Sequence, residues 1–314
     1  MKKLFIVPLT CILALTFCFG GAAYAQGEEE LPDPGITPDS PFYFADKWAK
    51  QFALMFTFKA ENKVQKALQY AEERLAEVDA MLARNRFRGA TEANNEYQNY
   101  LAIATQYTER ARNKGIDTSE TVALTVSGHL GFVNDSIAGA PENAKMILTQ
   151  TREGARVCQE TALRSMAQGD PEKAIQTNLM LMERQLNRIK AQVDEQQATR
   201  LQQELQEYER LGNLGEEISQ IARGLGKGTT VDQLVGQATA YHLQVLAQVH
   251  QRVQEQSQQA IEDAIQNCIE NHERVVTELK AQNQLGQIPE EPPIPAEISE
   301  KMKQRDSSGG SQRK

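Results

Sequence analysis

The side chains best suited to chemistry are few in this 314-residue chain: four histidines and, past its first 25 residues, the cysteines Cys158 and Cys268. Cys268 and His272 stand four residues apart, so a helix presents sulfur and imidazole on one side, a donor pair that suits zinc or copper with Cys158 as a third ligand. Two ligands at helical spacing arise readily by chance, so no metal ligand and no cofactor is assigned. Cys158 and Cys268 lie at an offset of 110, and Trp48 precedes Cys158 by the same interval. A position filled by Trp, Cys and Cys on apolar stripes reads as a core position with buried free thiols. A Cys158–Cys268 disulfide stays open as the alternative outside the cytosol, provided the Cα atoms come within about 7 Å. His129 and His242 fall at matching places, each followed by Leu, and read as hydrogen-bonded structural residues. No histidine has a Glu three residues before it, so the Glu-x-x-His pattern of di-iron bundles is missing.

Catalysis finds no motif. The sequence has no His-Glu-x-x-His, no Gly-x-Ser-x-Gly, no phosphate-cradling glycine loop and no Cys-x-x-Cys. The glutamates are spread along polar helix faces, where solvated carboxylates and i, i+4 partners are the default. Leu179, Met180, Leu181 and Met182 read as core filling rather than a soft-metal patch. The expectation is a protein that is not an enzyme, with no catalytic, cofactor-binding or metal site residues.

The elements that must position these residues are helical. Lys2 and Lys3, the apolar run from Leu4 to Phe19 and the small-residue exit ending at Ala25 have the three parts of a secretory signal. Residues 1–25 are therefore expected to be removed, with a retained anchor as the alternative, since Leu4 to Ala23 nearly spans a bilayer. Loss of Lys2 and Lys3 leaves 32 Lys plus Arg against 42 Asp plus Glu, a net charge near −10. So acidic a chain, without Lys/Arg-rich runs, suits neither nucleic acid nor anionic lipid. Arg84, Arg86 and Arg88 around Phe87 read as a solvated helix end. No later run approaches spanning length, which implies no membrane span once the signal is cleaved.

Residues 26–40 are acidic and then proline-rich, as in an extended linker. Asp39, Ser40 and Pro41 can open a helix. Such a helix places Phe44, Trp48, Phe52 and Phe56 on one stripe, expected to seal the core like a lid, with Asp46, Lys47 and Lys50 facing away. A membrane-touching helix and a partner-docking surface are the other readings of that stripe.

Val64, Leu68, Ala71, Leu75, Val78 and Leu82 follow 4-3-4-3-4 spacing, a heptad seam. Ile175, Leu179, Met182, Leu186, Ile189 and Val193 repeat it 111 residues later, and residues 61–115 match 172–226 at eleven of fifty-five positions. That is an internal duplication, of a period too long for the common helical solenoids. Gly115 can close a helix in copy one and Gly224 or Gly226 in copy two, and Asp170-Pro171-Glu172 opens the seam helix of the second copy. Gly139 and Pro141 stop a helix in copy one. From Thr230 to about Gln282 no proline intervenes, so one long C-terminal helix is expected there. The prolines at 289, 292, 293 and 295 and the polar end imply a disordered tail.

The expected fold is all-α: duplicated antiparallel helical bundles with heptad-like seams and a long C-terminal helix. The divisions are a signal peptide at 1–25, a linker at 26–40, helical repeat 1 at 41–140, helical repeat 2 at 141–284 and a tail at 285–314.

The stretch LPDPGITPDSPFYFADKW, the MFTF that follows it and ALQYAEERLAEV together resemble an exported bacterial and archaeal domain-of-unknown-function family. Its members carry a Pro-Asp/Gly-x-Pro-aromatic lead-in and helices bearing Ala-Glu-Glu-Arg-Leu. The resemblance spans residues 31–115; copy two echoes it without the lead-in. It implies an extracytoplasmic role and brings no activity or site residues. The functional expectation is a non-catalytic exported interaction or structural module of the cell envelope, secreted or extracytoplasmic, whose partner is an unknown protein or cell-wall component. The alternative is a metal- or stress-responsive sensor or chaperone-like protein, although the Leu-Thr-x-x-Gln signature of one such group is not matched by Leu148-Thr149-Gln150.

Overall fold

The computed structural model describes residues 31–194 and 198–309. Among them are ten α-helices and no strand: α1 (Tyr43–Met55), α2 (Ala60–Ala83), α3 (Phe87–Arg112), α4 (Ser119–Gly139), α5 (Glu142–Gly169), α6 (Pro171–Asp194), α7 (Ala198–Gly224), α8 (Gly228–His250), α9 (Glu255–Ala281) and α10 (Ala296–Gly309). The signal segment expected at 1–25 lies outside the described residues, as do residues 26–30 of the linker.

Both heptad seams pack as their spacing requires. Val64, Leu68, Ala71, Leu75 and Val78 of α2 are buried, as are Ile175, Met182, Leu186, Ile189 and Val193 of α6. Each seam helix pairs with its successor, α2 with α3 and α6 with α7; α4 pairs with α5 and α8 with α9 in the same way. One continuous hydrophobic core joins all of these helices. Local signals fix the matching joints. Gly115 and Gly226 adopt φ of 79° and 73°, and the next residue's N–H reaches back in each copy: Ile116 N to Ala111 O at 3.0 Å, Lys227 N to Ala222 O at 2.8 Å. A left-handed glycine closing a helix this way satisfies carbonyls the helix leaves open. Asp170 Oδ1 accepts from Lys173 N at 3.2 Å and opens α6 as a cap.

The two seam helices each open a unit of four helices, α2–α5 and α6–α9, which join at Gly169–Asp170. Gly139 and Pro141 stop a helix inside the first unit, where the chain reverses to let α5 pack along α4.

The single long helix expected from Thr230 to Gln282 is broken at 251–254. No proline or glycine causes this. α8 and α9 each carry an apolar face that a continuous rod would leave in water, and folding back buries Leu243, Leu246, Ile261 and Ile265. His250 Nε2 meets Glu262 Oε1 across the reversal at 3.0 Å.

The segment from 285, where a disordered tail is expected, includes the helix α10. Ile288, Ile298 and Met302 are buried. Few as they are, these three suffice because the last unit offers an uncovered face, onto which they dock rather than forming a core alone. Ile288 lies against Gly236 and Val275, and a Cβ built at Gly236 would stand 2.9 Å from Ile288 Cδ1. His272 fastens the segment, its Nε2 donating to Pro289 O at 2.9 Å. Residues 310–314 lie outside the described residues.

Ile288→Ala is expected to lower the unfolding free energy by about 2–4 kcal/mol in urea titration, as for other large-to-small core changes. Gly236→Ala, which removes no side chain but pushes Ile288 out of its seat, should also destabilise; an unchanged midpoint for both would show that the tail does not dock.

Candidate functional site: an outward aromatic face on the first helix

The helix α1 presents two faces of opposite character. Outward stand Phe44 (64% exposed), Trp48 (63%), Phe52 (51%) and Met55, with Phe56 continuing the line at the C-cap. Inward stand Tyr43 and Leu54, both buried, together with the charged groups of Asp46, Lys47 and Lys50. The expected lid is therefore overturned: the rings face away from the core, and the charges expected to face solvent hold the helix down.

The reason lies in α2. Arg74 and Glu77 have no exposed surface, and buried charges persist only when paired. Arg74 Nη1 donates to Glu77 Oε2 at 2.8 Å, Arg74 Nη2 donates to Asp46, and Tyr43 OH donates to Glu77 Oε2 at 3.1 Å. The Arg74 guanidinium also lies 5.0 Å from the Tyr43 ring centroid. Lys50 Nζ bridges Asp46 at 2.9 Å and Glu73 at 2.7 Å, while Lys47 Nζ reaches Glu96 of α3 at 2.8 Å. Turning the aromatic face inward would strip Arg74 and Glu77 of Asp46 and Tyr43.

This cluster polarises its members. Burial pushes the Glu77 carboxyl up to about 7, only partly offset by Arg74. Burial alone would lower Arg74, but Glu77, Tyr43 and Asp46 raise it above its ordinary value. Burial opposes ionisation of Asp46, yet hydrogen bonds from Lys50 and Arg74 hold its carboxyl below the usual range. Sequence reading overlooked Arg74 and Glu77. Their signal was available: an Arg and a Glu three apart beside the seam residues Ala71, Leu75 and Val78, facing a helix that offers Asp46, Lys47 and Lys50.

The reactive residues of the sequence lie elsewhere, in two buried clusters of like composition. In the first unit Tyr97 OH and His129 Nδ1 are 3.2 Å apart, and Cys158 lies against Thr105 Oγ1 at 3.4 Å. In the second, Tyr208 OH meets His242 Nδ1 at 3.1 Å and Cys268 Sγ at 3.7 Å. Both thiols are free and belong to different units. Burial raises Cys158 to about 11 and Cys268 to about 12, so neither is a thiolate at neutral pH. His272 does not turn to Cys268; its Nδ1 lies 3.0 Å from Thr239 Oγ1 and its Nε2 faces Pro289 O. Among the described residues, no group of three or more His, Cys, Asp or Glu is placed to hold a metal ion. Burial depresses both His129 and His242 to about 4, and Nε2 of each is buried with no hydrogen-bond partner.

A family model described as a domain of unknown function (DUF5667) matches residues 35–157, the stretch from just before α1 into α5. No curated protein matches the chain. Among solved structures, a circular tandem repeat protein with novel repeat topology and enhanced subunit contact surfaces aligns over 77% of this chain and 52% of its own length, at 10% identity and a TM-score of 0.49.

Arg74→Leu leaves Glu77 buried without its cation and should cost about 3–5 kcal/mol in urea unfolding, with α1 becoming open to proteolysis. Arg74→Leu combined with Glu77→Leu is expected to recover most of that loss. Acid should weaken the fold as well. His129 and His242 titrate near 6.5 when unfolded and about 4 when folded. The unfolded chain therefore takes up protons first, and stability present above pH 6.5 is lost as pH falls toward 4. The upper bound is about 3 kcal/mol per histidine. Glu77, raised rather than lowered, works in the opposite sense over pH 4.5–7 and offsets part of this. Denaturant midpoints measured from pH 7 to 4.5 should fall, with a flatter slope in His129→Gln/His242→Gln.

Proposed function

We propose that this chain is a non-catalytic, exported helical interaction module of the cell envelope, which docks a partner through the outward face of α1. The observation that carries the reading is the pairing of opposites on one short helix. The polar face is pinned by half-buried ion pairs and by Asp46 on the buried Arg74, and five large apolar side chains stand in water on the other. A stripe of this kind exceeds what scattered surface residues explain and marks an interaction surface. The Leu4–Phe19 run behind Lys2 and Lys3, with its small-residue exit, supports export. Buried, protonated thiols and buried neutral histidines support structural rather than catalytic roles for the reactive residues. No described helix is long and apolar enough to cross a membrane.

The test has two arms. Tagged full-length chain should fractionate outside the cytoplasm, and a cytoplasmic pool would defeat the envelope reading. A photo-crosslinking residue at Trp48 should form adducts in living cells, whereas one at Val157, which is 64% exposed on α5, should not. Equal labelling from both positions, or none from Trp48, would remove α1 as the docking face.

A further inference from the structure

The register of the duplication says what kind of surface the α1 stripe is. At an offset of 110, Phe44, Trp48, Phe52 and Phe56 fall on Gly154, Cys158, Ala162 and Met166 of α5. A further 110 residues on, they fall on Ala264, Cys268, His272 and Val276 of α9. In α5, Cys158, Ala162 and Met166 are buried, and Gly154 lies so near α3 that an added Cβ would stand 3.0 Å from Gln98 Cγ. In α9 all four are buried. Only in α1 does the same face look outward.

The correspondence extends to the docking of the opposite face. Lys47 of α1 pairs with Glu96 of α3, and Arg156 of α5 pairs through Nε with Glu207 of α7 at 2.7 Å. Glu96 and Glu207 are partners at the 111-residue offset, and Arg156 is one residue from the place matching Lys47. So α1 sits on the first unit as α5 sits on the second. Among the described residues α1 therefore holds the place that the closing helix α5 holds in the first four-helix unit.

We infer that a second copy of this chain covers that face, the two α1 stripes packing on one another across a two-fold axis. Three observations favour this occupant. First, in both equivalent helices the face meets other helices of the same chain: Gly154 and Cys158 lie against Gln98 and Thr105 of α3, and Cys268 and His272 against Tyr208 of α7 and Thr239 of α8. Second, five partly exposed large side chains present about 600 Å² per copy, so the pair would bury about 1,200 Å² in all, at the lower edge of a standard interface. Third, both cations of α1, Lys47 and Lys50, are committed to carboxylates on the protein side, whereas a helix lying on anionic lipid keeps cations on its polar face for headgroups. The ring sizes fit as well. Where α5 and α9 carry small residues that let neighbours approach closely, α1 carries rings that reach across to meet their like. This rests on the reading of α1 as a docking face and names its occupant.

Sedimentation velocity of the signal-free chain, over about 1–200 µM to span a weak interface, should show a monomer–dimer equilibrium. Trp48, the sole tryptophan, should shift its emission to the blue as the dimer forms. Trp48→Glu and, independently, Phe52→Lys should remain helical by circular dichroism yet stay monomeric, and an equimolar mixture of the two should regain dimer. Met146→Glu, at an exposed position of α5, should dimerise like the parent. A parent chain monomeric throughout, with Trp48 emitting as in water, overturns the second copy. If that monomer then binds phosphatidylcholine or anionic vesicles through Trp48, lipid is the occupant and the docking face stands. If the monomer instead shows Trp48 shielded without any partner, the docking face falls too.

Discussion

The orientation of α1 depends on one buried cation. Arg74 projects from α2 with no exposed surface, and a buried charge must be paired and hydrogen-bonded. Glu77 supplies one from the same helix, one turn away; Asp46 supplies the second from α1. Once Asp46 and Tyr43 face inward to serve that cluster, a helix of 3.6 residues per turn must send positions 44, 48 and 52 the other way. The exposed aromatic face is thus a consequence of satisfying charge. A molecule ruled by apolar area alone would have turned this helix over.

The same accounting explains how the array ends. Each four-helix unit has a face on which the next element lies, and an uncovered unit exposes seam residues to water. At the C-terminal end the tail answers this with little material: Ile288, Ile298 and Met302, with a carbonyl at Pro289 taking the His272 N–H. At the N-terminal end of the described residues α1 answers it for the first unit, and its far side is exposed. The two ends are therefore not equivalent. One is covered by the tail, and the other carries, among the described residues, a long outward stripe of large rings.

Between the ends, the duplicated polar clusters are conservative in function as well as placement. Tyr97 with His129 and Tyr208 with His242 fill the same niche in each unit, with a thiol alongside. An imidazole held neutral by burial, next to a phenol and an un-ionised thiol, can set the spacing of helices and offers no nucleophile. Its chemical consequence is a liability at low pH.

Much was legible in the residues themselves. The heptad seams of Val64 to Val78 and Ile175 to Val193, the cap at Asp170-Pro171, the left-handed glycines at 115 and 226 and the 111-residue offset are local properties, so they could be read in order along the chain. Burial of Cys158 and Cys268 followed from their place on apolar stripes. What the sequence left undecided were matters of partnership between distant elements. Amphipathicity has no sign: α1 shows an apolar and a charged face, and only the presence of Arg74 and Glu77 on the neighbouring helix says which turns inward. Likewise nothing between Thr230 and Gln282 forbids one long helix; it folds at 251–254 because α8 and α9 have faces to bury against each other. The tail is too polar to fold alone, and it orders because the last unit supplies the other half of its core.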